Sequence, residues 1–158
     1  MPGQCIAVVS GKGGTGKTSF TAGVGSALAL SGKRVLCLDC DVALRNLDLA
    51  LGLTDRALMD FTDVAQERCS LDIAAVEHPD IPDLYLLTAP TRSRCCPVTK
   101  EQMIHLLDRT RLEFDYCFLD APAGLGDGFQ LATCGADRVV VVATADATSL
   151  RDAQHTVM

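Results

Sequence analysis

The stretch that most narrows what this chain can fold into is Ser10-Gly11-Lys12-Gly13-Gly14-Thr15-Gly16-Lys17-Thr18. It follows an apolar run, Cys5–Val9, and opens a helix candidate, Lys17–Leu30, so it reads as the turn between a buried strand and a helix. Its glycines let the backbone wrap tightly enough for N–H groups to point inward at phosphate oxygens. The helix start adds the positive end of its dipole. Gly11-x4-Gly16-Lys17-Thr18 therefore satisfies the pattern of a triphosphate cradle, with Lys17 reaching the β- and γ-phosphates and the Thr18 hydroxyl on magnesium. A dinucleotide-binding G-x-G-x-x-G also fits Gly11–Gly16; the Lys17-Thr18 that follows favours a nucleoside triphosphate.

Short apolar runs alternate with helix-like segments through the rest of the chain. Strands are predicted at Cys5–Val9, Arg34–Leu38, Leu84–Thr88, Tyr116–Leu119 and Arg138–Ala143, and helices at Lys17–Leu30, Arg56–Gln66, Lys100–Thr110 and from Leu150 onward. Thr99 with Gln102, and Ser149 with Asp152, have the spacing of capping boxes, and Gly32 is placed to end the first helix. Cys69–Asp83 and Ala89–Val98, which hold Pro79, Pro82, Pro90 and Pro97, read as loops. The near-continuous hydrophobicity of the strands suits coverage on both faces. The expectation is an α/β fold: one domain over residues 1–158, a three-layer sandwich with a mostly parallel sheet between helices, and a P-loop NTPase architecture.

Two of these strands end in aspartate, at the edge where open α/β sheets bind ligands. Val35-Leu36-Cys37-Leu38 leads into Asp39-Cys40-Asp41, and Tyr116-Cys117-Phe118-Leu119 into Asp120. Asp120 has the position of a Walker B carboxylate that holds a magnesium-bound water. Asp39 and Asp41 are both candidates for the metal shell and for orienting an attacking water, and the residues alone leave the two roles open between them. A strand-terminal Asp also serves simply to cap the next turn.

With Lys12 at its start, the loop resembles the deviant Walker A loop, K-G-G-x-G-K-T, of the MinD/ParA family of ATPases. Asp39–Leu49 is similar to the D-x-D-x-x-L-R-N-L-D-L switch I of that family's division-site branch. Asp120-Ala121-Pro122-Ala123-Gly124 resembles its D-S-P-A-G switch II with Ala121 in place of serine, and Ser149-Leu150-Arg151-Asp152 its S-x-R-D segment. The matches keep their order across nearly the whole chain. The resemblance implies an ATP- and Mg2+-dependent switch that forms a homodimer on ATP. Lys12 would then reach the partner's phosphates as a cation delivered in trans. It implies catalytic roles for Lys12, Lys17 and Asp41. Phosphate contacts fall to Gly11, Lys12, Gly13, Gly14, Thr15, Gly16, Lys17, Thr18 and Ser19, and metal contacts to Thr18, Asp39 and Asp120. Asn46 would lie on the dimer-facing switch. Hydrolysis would be slow and stimulated by a protein partner, and the output would be division-site placement or spatial positioning, with flagellar-number regulation the second reading. Family members are longer; the chain is expected to lack their C-terminal part, including a segment that reads adenine and an amphipathic membrane-targeting helix. Peripheral membrane placement at the inner face of the plasma membrane is implied only for a form that carries that helix.

Composition trims the alternatives. A net charge of −6 gives no general attraction to nucleic acid. Eight cysteines admit a disulfide framework, a metal or iron–sulfur site, or buried thiols. Met1–Ser10 lacks a charged n-region leading into a long apolar run, which points to a cytoplasmic protein with reduced thiols, Cys5, Cys37 and Cys117 in buried strands. An iron–sulfur carrier of the same superfamily would need the Cys37-x-x-Cys40 pair, or Cys95 and Cys96, at a dimer face. A nucleotide-binding remnant without turnover is the other alternative. His78, His105 and His155 read as solvated rather than as ligands, and Met103–Leu107 as core packing.

Overall fold

The computed structural model describes residues 1–91 and 97–158. Its elements run β1 (Gln4–Val9), α1 (Lys17–Leu30), β2 (Val35–Asp39), α2 (Leu47–Ala50), α3 (Phe61–Ala65), α4 (Leu71–Ala74), β3 (Val76–Glu77), β4 (Leu84–Leu87), α5 (Lys100–Glu113), β5 (Tyr116–Asp120), α6 (Asp127–Thr133), β6 (Arg138–Val141) and α7 (Ala147–Val157). The six strands form one sheet in the order β3-β4-β2-β5-β1-β6, parallel except for the short β3. The mostly parallel three-layer arrangement expected from the sequence is present.

Alternation along the strands divides the core. Ala7, Val9, Leu36, Leu38, Cys117 and Leu119 face the side covered by α3, α4, α5 and α6, while Val8, Val35, Cys37 and Phe118 face α1 and α2. Cys5, Cys37 and Cys117 are buried as expected. Met103, Leu106 and Leu107 of α5 are fully buried against the first of these layers, which is the packing role read for that stripe. Close approach on the second face is set by Gly25, where a Cβ would stand 2.7 Å from Cys37 Sγ. Central strands packed on both faces leave no solvated alternation, which is why they read as continuous apolar runs.

Helix termini follow local chemistry. Thr99 and Gln102 form the expected capping box of α5, with reciprocal bonds of 3.1 and 3.0 Å. Gly32 follows α1 with φ 96°, a left-handed turn that suits glycine. Three expectations shift. The helix predicted over Arg56–Gln66 begins only at Phe61, because Asp60 and Asp63 make a capping box there. The last helix starts at Ala147 with Asp146 as cap, accepting from Ser149 N at 2.9 Å; the Ser149 hydroxyl instead accepts from Thr144 N. Within Cys69–Asp83, expected to be loop, α4 and β3 form, and α2 and α6 also add short elements below the length at which periodicity is readable.

His78 is half-buried rather than solvated. Its Nδ1 accepts from Asp80 N and Ile81 N at 3.1 and 3.2 Å, so the proton of the neutral ring sits on Nε2, which donates to the Leu51 carbonyl at 3.0 Å. The ring thus ties the turn before β4 to the end of α2. His105 and His155 are exposed, as expected.

Candidate functional site

Register brings the acidic strand ends together. Asp120 pairs across the sheet with Val8 of β1 on one side and Asp39 of β2 on the other. The loop that follows β1 and both aspartates therefore share the C-terminal edge of three adjacent strands, although they are far apart in sequence. Backbone bonds fix this edge: Cys40 N donates to the Asp120 carbonyl at 3.0 Å, and Gly124 N to that of Ser10 at 3.1 Å. The loop and both strand-end segments are thereby joined by main chain alone.

The loop is built to receive an anion. Gly16 caps α1 at φ 91°, a conformation costly for any residue with a Cβ, and no side chain caps the helix or places an acid in its first turn. The unsatisfied N–H groups and the dipole of a 14-residue helix thus point into the Gly11–Thr18 loop. Gly11 answers a different demand: a Cβ there would lie 2.4 Å from Asp152 Cβ, so the loop packs directly on α7.

Beneath the loop, Lys17 and Asp120 are 8% and 1% exposed. The Thr18 hydroxyl donates to Asp120 Oδ2 at 2.7 Å, and Lys17 Nζ stands 3.9 Å from Oδ1. Burial raises the Asp120 pKa, and the Thr18 hydrogen bond and the Lys17 charge act against that rise. Among the described residues, Asp120 Oδ1 and Thr15 Oγ1 are buried without a hydrogen-bond partner. Orphaned buried oxygens are costly in a finished fold and are the atoms a bound group would satisfy. A hydroxyl and a carboxylate as neighbouring hard oxygen donors, beside an uncapped helix start, fit magnesium together with a polyphosphate.

Asp39 and Asp41 differ sharply here. Asp39 is fully buried, and both its oxygens accept backbone N–H groups, from Asp41 at 2.9 Å and Leu47 at 3.3 Å. Burial pushes its pKa up to about 7 despite these bonds. Its carboxylate organises the turn from β2 to α2. Asp41 accepts from Leu44 N at 3.1 Å through Oδ1 alone, leaving the other oxygen free of any such bond among the described residues. Ser19 and Asn46 are exposed at the same edge.

Lys12 is held by a residue that the sequence reading passed over. Its Nζ lies 3.3 and 3.4 Å from the two oxygens of Asp146. Asp146 also caps α7 and accepts from the Thr144 hydroxyl, contacts that hold its pKa down at about 2. Asp146 with Ser149 three residues on, ahead of a helical run, was the available signal. The Cys37-x-x-Cys40 pair does not converge: the two residues belong to opposite faces of the sheet core. Cys95 and Cys96 lie outside the described residues. No group of three or more metal-ligating side chains of the His, Cys, Asp or Glu type occurs among the described residues, and none of their helices is long and apolar enough to cross a membrane.

The profile of the family described as CobQ/CobB/MinD/ParA nucleotide binding domain matches residues 6–154. The septum site-determining protein MinD of Bacillus subtilis is 42% identical over 154 residues, 97% of this chain and 58% of that protein. The MinC:MinD cell division protein complex of Aquifex aeolicus superposes with a TM-score of 0.87 at 37% identity, over 96% of this chain and 61% of its counterpart. MinD of Pyrococcus horikoshii, complexed with Mg-ADP, gives 0.88 at 28% identity, over 98% and 63%. The chain therefore spans less than two thirds of the length of these relatives.

Proposed function

The chain belongs to the CobQ/CobB/MinD/ParA nucleotide-binding family, and from that premise we propose that it binds and slowly hydrolyses Mg-ATP as the switch region of a MinD-like septum-site regulator. The observation that carries this reading is the Lys17–Thr18–Asp120 cluster, with its orphaned Asp120 Oδ1 and Thr15 Oγ1, under the uncapped start of α1. Thr18 and Asp120 are the residues that would hold magnesium, which would supply positive charge to neutralise the phosphates. Asp39, one step behind them, positions Asp41 through the Asp41 N–H bond. The free oxygen of Asp41 is the acceptor that orients the attacking water, and Lys17 neutralises charge as it develops on the transferred group.

Lys12 supports the dimeric part of the reading. Its amine is bound in cis by an exposed carboxylate, a contact weak enough to exchange for the phosphates of a second subunit. ATP then favours a face-to-face homodimer, a protein partner stimulates hydrolysis, and ADP releases the pair. The chain acts in the cytoplasm. Division-site placement is the output best supported by relatives that are septum site-determining proteins and by the likeness to a solved MinC:MinD cell division protein complex.

Calorimetric titration with Mg-ATP and Mg-ADP tests the core of this proposal, with Lys17→Ala as control. Saturable binding abolished by Lys17→Ala, with phosphate release from Mg-ATP, is the expected result. A folded chain that takes up neither nucleotide would overturn it, and binding without any phosphate release would reduce the chain to a nucleotide-binding module.

A further inference from the structure

A cavity of about 390 Å3 opens on the helical layer of α3, α5 and α6, with no residue of the phosphate loop in its lining. Phe61 and Thr62 at the start of α3, Val98 before α5, Leu131 of α6 and Val42 form its walls. The volume falls in the size class of small-ligand sites, roughly 300–1,000 Å3, and the lining is mostly apolar with a few polar groups, which is the usual composition of such sites. The walls are well anchored: Phe61 and Thr62 are 2% and 1% exposed, and the Gln66 amide donates to the Pro97 carbonyl at 3.0 Å.

Two charges stand at the rim, Lys100 and Asp127, and neither makes a salt bridge among the described residues. They are not equivalent. Asp127 lies in the first turn of α6, where the helix dipole already compensates a carboxylate. Lys100 opens α5, where the same dipole opposes a cation. Glu101 borders a different depression, on the side of α3 toward Gln66 and Glu67. The cation over the cavity is therefore the group left in want of a counter-charge.

We propose that this cavity binds a small amphipathic anion, an apolar body between α3, α5 and α6 with its acidic group at Lys100. Position makes such a ligand a regulator of the nucleotide site. Val42 directly follows Asp41, and α6 is locked to the segment after Asp120, since a Cβ on Gly128 would stand 2.4 Å from Pro122 Cγ. A ligand that wedges Val42 and Leu131 shifts both switch segments together.

The probe is 8-anilinonaphthalene-1-sulfonate, an apolar bicycle with one anionic group, titrated by fluorescence into the nucleotide-free chain, so the result stands whether or not the nucleotide reading does. Saturable one-site binding is expected. Leu131→Trp, which fills the cavity, removes it; Lys100→Glu, on an exposed helix start that leaves the fold intact, weakens it about three- to tenfold. Uncharged N-phenyl-1-naphthylamine binds with no response to Lys100→Glu. Probe binding indifferent to both substitutions would place it on another apolar face, such as that of β6 and α7, and overturn the proposal, as would no binding at all. In a chain shown by calorimetry to take Mg-ADP, saturating nucleotide changes the probe affinity several-fold, and by linkage the probe changes nucleotide affinity by the same factor. An unchanged affinity in that chain would refute the regulatory role.

Discussion

The nucleotide-free chain should lose stability as pH rises through neutrality, and Asp39 is the reason. Its carboxyl is fully buried and its folded pKa stands at about 7 against an ordinary 3.8. Below the ordinary value both folded and unfolded chains are protonated at this position and the contribution is fully present. As pH climbs toward 7 the unfolded chain releases the proton while the folded chain keeps it, so stability falls by about 1.4 kcal/mol per pH unit. The whole shift corresponds to about 4 kcal/mol, of which about 2 kcal/mol is lost between roughly pH 5.5 and pH 8. Asp120, raised in the same direction by burial, adds to the trend rather than opposing it. With a urea m-value of about 2 kcal/mol/M, the unfolding midpoint followed by circular dichroism drops by about 1 M over that window. Asp39→Asn separates the cause. Its amide carries one acceptor oxygen for the two N–H groups of Asp41 and Leu47, so the variant is less stable in acid, yet its midpoint changes far less with pH. A wild-type midpoint that is flat or rises from acid to alkaline pH would refute the reasoning, as would an equal slope in the variant.

Packing and capping make further tests possible. Gly25→Val pushes a side chain into the 2.7 Å space before Cys37 Sγ, costing about 1–3 kcal/mol and several degrees of Tm by scanning calorimetry. Gly23→Ala, on the exposed side of the same helix with nothing within 4 Å, gains up to about 1 kcal/mol and raises Tm. Thr99→Ala removes one arm of the α5 capping box and lowers the urea-derived stability by about 1 kcal/mol, with m unchanged. Lys12→Ala leaves the unfolding midpoint and Mg-ATP binding in place, while sedimentation finds no ATP-induced dimer; a dimer that persists would leave Lys12 no role beyond its ion pair with Asp146.

Much of the fold was legible because its signals are local. The five longer strands announce themselves as apolar runs; four of them are largely buried, while β6, equally apolar in sequence, lies at the sheet edge with Arg138 and Val139 exposed. The phosphate loop is set by glycines followed by Lys17-Thr18, and the Thr99–Gln102 box starts α5 by side-chain reach within one turn. Even the candidate residues at the edge could be named, since strand-terminal Asp39 and Asp120 and the nearby Asp41 are visible in the chain. What local pattern could not decide is which of them meet. Only the strand order, with β5 seated between β1 and β2, sets Asp120 beside Thr18 and Lys17 and turns Asp39 inward onto the N–H groups of Asp41 and Leu47. Lys12 and Asp146 find each other across 134 positions because α7 packs on the loop at Gly11. The cavity under Lys100 exists only where three helices from separate parts of the chain converge. Those outcomes depend on contacts between distant segments, and their free energy is not encoded in the propensity or spacing of any one of them.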